Sequence, residues 1–246
     1  MSAPAPGSPT RLDDPVNGWL VGMVGAAVGF FVGLVGGGIA GAIVLGASGV
    51  DDFDEMNLGW VAVAQLGLWF GLLGVPFLLS RFRGNGMQRD YGLAVSWPDL
   101  PLGAITGFFG QFIILAIVYL PMQWFTDITR EELSEPARDM ADKATGPLGV
   151  ALLVLIVGVG APIVEEIFYR GLVQGSLVRR LGPVWGIGIA SVIFGLVHFQ
   201  LLQLPALALA GVLFGVLAHQ AGRLGPAIVA HVAFNMTAVI VLLSES

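Results

Sequence analysis

The stretch LGPVWGIGIASVIFGLVHFQLLQLPALALAGVLFGVLAHQAG, residues 181–222, decides the fold: 42 residues without one Asp, Glu, Lys or Arg. A membrane-spanning helix needs about 20 apolar residues. This run therefore holds two spans, with Pro205 as the expected break between them. Working outward, uncharged runs recur at Pro15–Val50, Met56–Ser80, Leu100–Thr126, from near Gly146 onward, and at Leu224–Leu243. The expectation is an all-α, polytopic integral membrane helix bundle of about seven transmembrane helices.

Composition agrees. Apolar residues make up 56% of the 246 and charged residues 11%, against about 25% charged in soluble domains. Eleven basic residues face 17 acidic ones, a net charge of −6, which excludes a nucleic-acid surface. There is no cysteine, which excludes disulfides, thiol catalysis, Fe–S clusters and Cys-ligated zinc.

The chain divides into three parts. Residues 1–14, MSAPAPGSPTRLDD, form a Pro/Ala/Ser-rich tail expected to be disordered. It lacks the basic stretch of a signal peptide, and the apolar run behind it is too long for one. Residues 15–145 carry helices one to three with their loops. Residues 146–246 carry the remaining helices and all the intramembrane polar groups considered below. Within helix one, Gly25, Gly29, Gly33, Gly37 and Gly41 are spaced four apart. Such a ladder of small residues lets a second helix approach closely. It follows no strand, so it is no nucleotide-binding loop.

Lys and Arg set the orientation. With the N-terminus inside, the inner segments hold Arg11, Arg81, Arg83, Arg89, Arg179, Arg180 and Arg223. The outer segments hold Arg130, Arg138 and Lys143, and the loop Asp51–Glu55 is purely acidic in its charges. The N-terminus is thus expected in the cytoplasm. The Ala/Gly/Val-rich makeup suggests a bacterial plasma membrane. The loop 127–143, DITREELSEPARDMADK, reads first as a solvated connector. An amphipathic surface helix that gates a site beneath it is the second reading.

Helix four runs into APIVEEIFYRGLVQGSLVRRLG, where Glu165, Glu166 and Arg170 interrupt an apolar segment. Glu165 lies 17 residues before Gly182 and His198 lies 16 after it. In an antiparallel hairpin turning at Gly182 both sit at the same depth, about 25 Å from the turn, close to mid-membrane, so they are expected to meet. The inside-facing turn favours an opening to the cytoplasm. His231 and Asn235, four apart on the last helix, share a face. They lie nine and thirteen residues after Gly222, about 13–20 Å from that turn. Glu166 and Arg170 have the spacing of an intrahelical ion pair, which leaves Glu165 free to take a proton. Pro162 loosens the backbone ladder just before them. A charged side chain at the bilayer centre costs about 2.5–3.5 kcal/mol, so a convergence of six polar groups points to a functional site. His219, near a helix end, reads as interfacial.

The spacing also carries a resemblance. EEIFYR fits EExxxR at Glu165, Glu166 and Arg170; FGLVH fits FxxxH at Phe194 and His198; HVAFN fits HxxxN at His231 and Asn235. In this order on successive membrane helices they resemble the three motifs of the CPBP family, which includes the type II CAAX prenyl endopeptidases and the Abi-type intramembrane proteases. The resemblance covers about Gly146 to Leu243.

It implies hydrolysis of peptide bonds of membrane-embedded or prenylated substrates within the lipid bilayer. Glu165 and His198 would activate a water. His231 and Asn235 would hold the oxyanion or help place that water. Glu166 and Arg170 would orient the group, and Phe194 would pack around His198. A metal-free glutamate mechanism is favoured over a divalent ion. If Zn2+ takes part, Glu165, His198 and His231 are its expected ligands, although no HExxH is present.

Two other functions fit the same helices. One is a non-proteolytic scaffold or immunity protein, whose phenotype would survive Glu165→Ala. The other is a proton-coupled transporter, against which stands the lack of any internal repeat.

Overall fold

Lipid offers a backbone no hydrogen-bond partner, so each uncharged run satisfies its own N–H and C=O groups by coiling into a helix. The computed structural model describes residues 18–49 and 57–245. The expected disordered tail, the first residues of helix one and the acidic loop Asp51–Glu55 lie outside the described residues. The helices are α1 (Trp19–Ser48), α2 (Leu58–Arg83), α3 (Met87–Tyr91), α4 (Asp99–Phe125), α5 (Arg130–Asp142), α6 (Gly146–Leu153), α7 (Ala161–Glu165), α8 (Gly175–Leu196), α9 (Leu204–Ala221) and α10 (Gly225–Glu245).

The π-helical segments Val154–Gly160 and Glu166–Gln174 join α6, α7 and α8 into one helical stretch of 51 residues, Gly146–Leu196. Gly182 bends that stretch with φ 78° and ψ 169°, a left-handed conformation that glycine adopts without a Cβ clash. Six stretches are long and apolar enough to cross a membrane. The bend makes the 51-residue stretch two limbs, which accounts for the expected count of about seven. The protein is an integral membrane protein.

Two expectations are corrected. The break between the helices of the 181–222 run is not at Pro205. α8 stops at Leu196, Phe199 takes a positive φ of 55°, and Pro205 sits in the first turn of α9, where its missing N–H costs nothing. His198 therefore lies in the turn after α8. The charged loop is no bare connector either. It folds as α5, because Thr129 and Glu132 form a reciprocal capping box. The Thr129 N–H and hydroxyl hold the Glu132 carboxyl below its ordinary value. α5 is tied down by an Arg138–Glu245 ion pair at 2.8 Å and by Gln203 Nε2 donating to the Leu133 carbonyl at 3.0 Å.

Glycines set how closely the spans approach. α1 and α2 touch backbone to backbone: a Cβ on Gly36 would stand 2.6 Å from the Gly67 carbonyl oxygen, and one on Gly33 would stand 2.7 Å from that of Leu68. On α4, a Cβ at Gly103 would meet Val229 at 2.6 Å, which seats α4 against α10. These two run parallel, since their starts are joined by Arg223 to Asp99 at 2.6 Å. Asp99 is buried, while Arg223 is one third exposed. Arg223→Ala should lower stability by about 1–3 kcal/mol, the cost of a buried acceptor losing its partner. Thermal unfolding in detergent checks it, and an unchanged midpoint would remove the clamp from this account.

Candidate active site

The π-helical segment Glu166–Gln174 is buried along all nine residues. It carries Glu166 and Arg170 inward between α9 and α10. Glu166 Oε1 lies 3.0 Å from Arg170 Nη1 and 2.8 Å from His231 Nδ1. Both side chains of the Glu–Arg pair are at most 2% exposed, so one carboxylate oxygen serves two buried cationic or donor groups. Arg170 Nη2 also donates to the Gly211 carbonyl at 3.4 Å, and its guanidinium lies 4.3 Å from the Phe194 ring centre.

His231 is the hub. The contact with Glu166 makes Nδ1 the protonated nitrogen, an assignment from the bonding network. The lone pair then sits on Nε2, and Glu165 Oε2 lies 3.8 Å from it. That gap is too long for a hydrogen bond and suits a bridging water. One imidazole thus has a carboxylate at each ring nitrogen. Glu165 ends α7 and Glu166 begins the π-helical segment, so the two acids approach the ring from either side of a change in helical register.

His198 joins this group through packing. Its ring and that of His231 both lie edge-on to Phe194, at 4.8 and 5.9 Å between centres. His198 Nδ1 is 2.7 Å from the Phe194 carbonyl oxygen. A carbonyl only accepts, so Nδ1 carries the proton and Nε2 is left with a lone pair. The carboxylate contact of Glu165 runs to His231 and not to His198 as the hairpin arithmetic expected: ending α8 at Leu196 takes His198 off the helix.

Asn235 spends one amide N–H on the Val157 carbonyl, at 2.9 Å. Among the described residues, no three His, Asp or Glu side chains cluster as a metal-binding group. Glu165, His198 and His231 do not form such a group among the described residues, although each imidazole keeps a lone pair on Nε2. The residues as they stand do not fit a metal ion. His219 is exposed at the end of α9, as an interfacial residue should be.

Phe214 escaped the sequence reading. It is completely buried and stacks on His231, with ring centres 4.4 Å apart and planes 20° from parallel. The available signal was Gly211 and Gly215, which flank it four apart and allow close approach. A Cβ at Gly215 would stand 2.5 Å from Gln174 Oε1, and Gln174 Nε2 donates to the Gly215 carbonyl at 3.0 Å.

Comparison with known proteins reaches this part of the chain. Residues 147–237 match the family described as type II CAAX prenyl endopeptidase, Rce1-like. The chain is 30% identical over 159 residues to "Putative membrane peptidase YdiL" of Bacillus subtilis (strain 168), covering 65% of this chain. It spans 61% of that relative's length. No solved structure matches the chain.

Proposed function

We propose, from the premise that residues 147–237 belong to the Rce1-like, type II CAAX prenyl endopeptidase branch of the CPBP family, that this chain is an intramembrane endopeptidase. The observation that carries the reading is His231 with a carboxylate at each ring nitrogen, inside an apolar bundle. A structural ion pair needs Glu166 and Arg170 only. It gives no reason for a second acid, Glu165, in front of an unprotonated imidazole nitrogen.

In this reading Glu166, held by Arg170, fixes the tautomer of His231 as the carboxylate of a hydrolytic triad does. Glu165 takes a proton from a water held between it and the His231 Nε2 atom, with His198 packed beside them through Phe194. The hydroxide attacks the scissile carbonyl carbon, the C–N bond breaks, and Glu165 returns the proton to the leaving amine. Phe194 and Phe214 hold the two imidazoles in place. The second N–H of Asn235 remains as a donor to the developing oxyanion. Residues 146–246 would be the catalytic unit and 15–145 its membrane scaffold.

The substrate class is a membrane-embedded peptide or protein, with a prenylated cysteine peptide as the family's expectation. The proposed orientation has the N-terminus in the cytoplasm of a bacterium. Its support is that Arg81, Arg83, Arg89, Arg179, Arg180 and Arg223 lie at one end of the spans and Arg130, Arg138 and Lys143 at the other.

The test compares purified wild type with Glu165→Ala and His198→Ala on membrane peptides, prenylated and not, read by mass spectrometry. Cleavage should be lost at least a thousandfold in the Glu165 variant and a hundredfold or more in the His198 variant, at about the scale of general-base catalysis plus electrostatics. A chelator should leave wild-type cleavage unchanged. Activity retained by Glu165→Ala would sink the reading. A cellular phenotype that survives this substitution would favour the scaffold.

A further inference from the structure

The carbonyl of Val157 is deprived of a backbone donor by the sequence itself. Along Val154–Gly160 the helix is π-helical, and at its end the Ala161 N–H donates to the Ile156 carbonyl. In that register the Val157 carbonyl takes the N–H of residue 162. Residue 162 is proline, which has no N–H. A carbonyl inside an apolar bundle cannot turn to water and needs a partner. The partner comes from another helix: Asn235 Nδ2 donates to it at 2.9 Å.

The consequence reaches the candidate site from both sides. Pro162 is buried in the first turn of α7, three residues before Glu165. Asn235 stands one turn after His231 on α10. The same two helical stretches are therefore joined twice, once by the Asn235–Val157 bond and once by the carboxylates on His231.

We propose that Pro162 and Asn235 are a positioning pair: Pro162 vacates the Val157 carbonyl, Asn235 fills it, and the bond seats α10 so that His231 meets Glu165 and Glu166. Pro162 is then more than a loosened helix turn, and the first role of Asn235 is to hold the π-helical segment. The kinetic part of this inference rests on the protease reading. The structural part does not.

A double-mutant cycle tests it, because Pro162→Ala restores a backbone N–H at the position that lacks one. Asn235→Ala alone should lower the melting midpoint in detergent by about 3–8 °C, the expected result of a buried carbonyl left without a donor. It should also lower kcat at least tenfold with KM nearly unchanged. In the Pro162→Ala background both losses from Asn235→Ala should shrink to less than half. Asn235→Asp keeps the size of the side chain but turns an acceptor towards the carbonyl, so it should melt no higher than Asn235→Ala.

If Asn235→Ala melts like the wild type, or costs the same fold in kcat in both backgrounds, Asn235 acts at the reacting atoms and the proposal is overturned. If Pro162→Ala does not fold, the melting of the two Asn235 variants against wild type still decides. The melting arm needs no substrate. Absence of cleavage by every form, wild type included, would count against the protease reading and leave the coupling measurement standing.

Discussion

Glu166→Ala should cost about 3–5 kcal/mol of stability and lower kcat by about a thousandfold or more. The first figure is that of a buried ion pair broken on one side. Arg170 has side-chain exposure of only 2% and would be left charged in an apolar bundle. Its remaining contacts, the Gly211 carbonyl and the Phe194 and Phe214 rings, do not neutralise it. The second figure follows from His231, which would lose the acceptor that fixes its tautomer.

The two effects can be separated. Replacing the pair together, Glu166→Met with Arg170→Met, removes both charges and fills the space, and such exchanges are often neutral or stabilising. The double variant should regain most of the lost melting temperature and none of the activity. A double variant that melts as low as Glu166→Ala would show that the loss is one of packing and not of an uncompensated charge.

Gly71→Leu should be the most damaging substitution far from any charge. Gly71 meets the backbone of Gly33 and Gly29 on α1 so closely that a Cβ there overlaps both. Overpacking in a tight interface typically costs 1–3 kcal/mol. A residue opposed by backbone rather than by a movable side chain should fall at about the top of that range. Gly74, one turn along, has nothing within 4 Å of its Cβ position, so Gly74→Leu is the control and should be tolerated. The readout is the melting midpoint of each in the same detergent. Equal effects would mean that the α1–α2 contact contributes little.

The spans were legible because lipid imposes one rule on every residue, and charge-free length reports it directly. The ladder on helix one was legible for a similar reason, since only small residues let backbones touch. What the sequence concealed were local backbone choices. The turn after Leu196 depends on the positive φ of Phe199, and no residue type there announces it. Pro205 looked like a breaker and is a helix starter, because proline disrupts a helix interior but not its first turn.

At the candidate site the residue set was readable from spacing, but its pairing was not. Even 3.6-residue turns set Glu165 and Glu166 about 100° apart, yet each faces a different ring nitrogen of His231, a pairing fixed by how α10 packs on the end of α7 and the start of the π-helical segment. Pro162 hinted at the irregularity. Phe214 carried no charge to draw attention, and its partner on α10 was fixed only by tertiary packing.

The segment between α2 and α4 has a further consequence. It is bolted down along its length: Ser80 donates to Asp90 at 2.7 Å, the Tyr91 hydroxyl to the Pro76 carbonyl at 3.2 Å, Leu224 N–H to the Gly92 carbonyl at 2.8 Å, and Arg223 to Ser96 at 2.9 Å. Burial pushes the Tyr91 phenol well above its ordinary pKa, so this bolt keeps its proton. The buried run Glu166–Gln174 packs on it, with Gly171 against Tyr91, so several elements are tied together at the end of the bundle that carries most of the arginines. Glu165 keeps 18% of its side chain accessible. Under the proposed protease reading, a peptide that reached Glu165 from the arginine-rich end would have to break these bonds, so loosening them by Ser80→Ala or Tyr91→Phe should lower the melting midpoint without raising the cleavage rate.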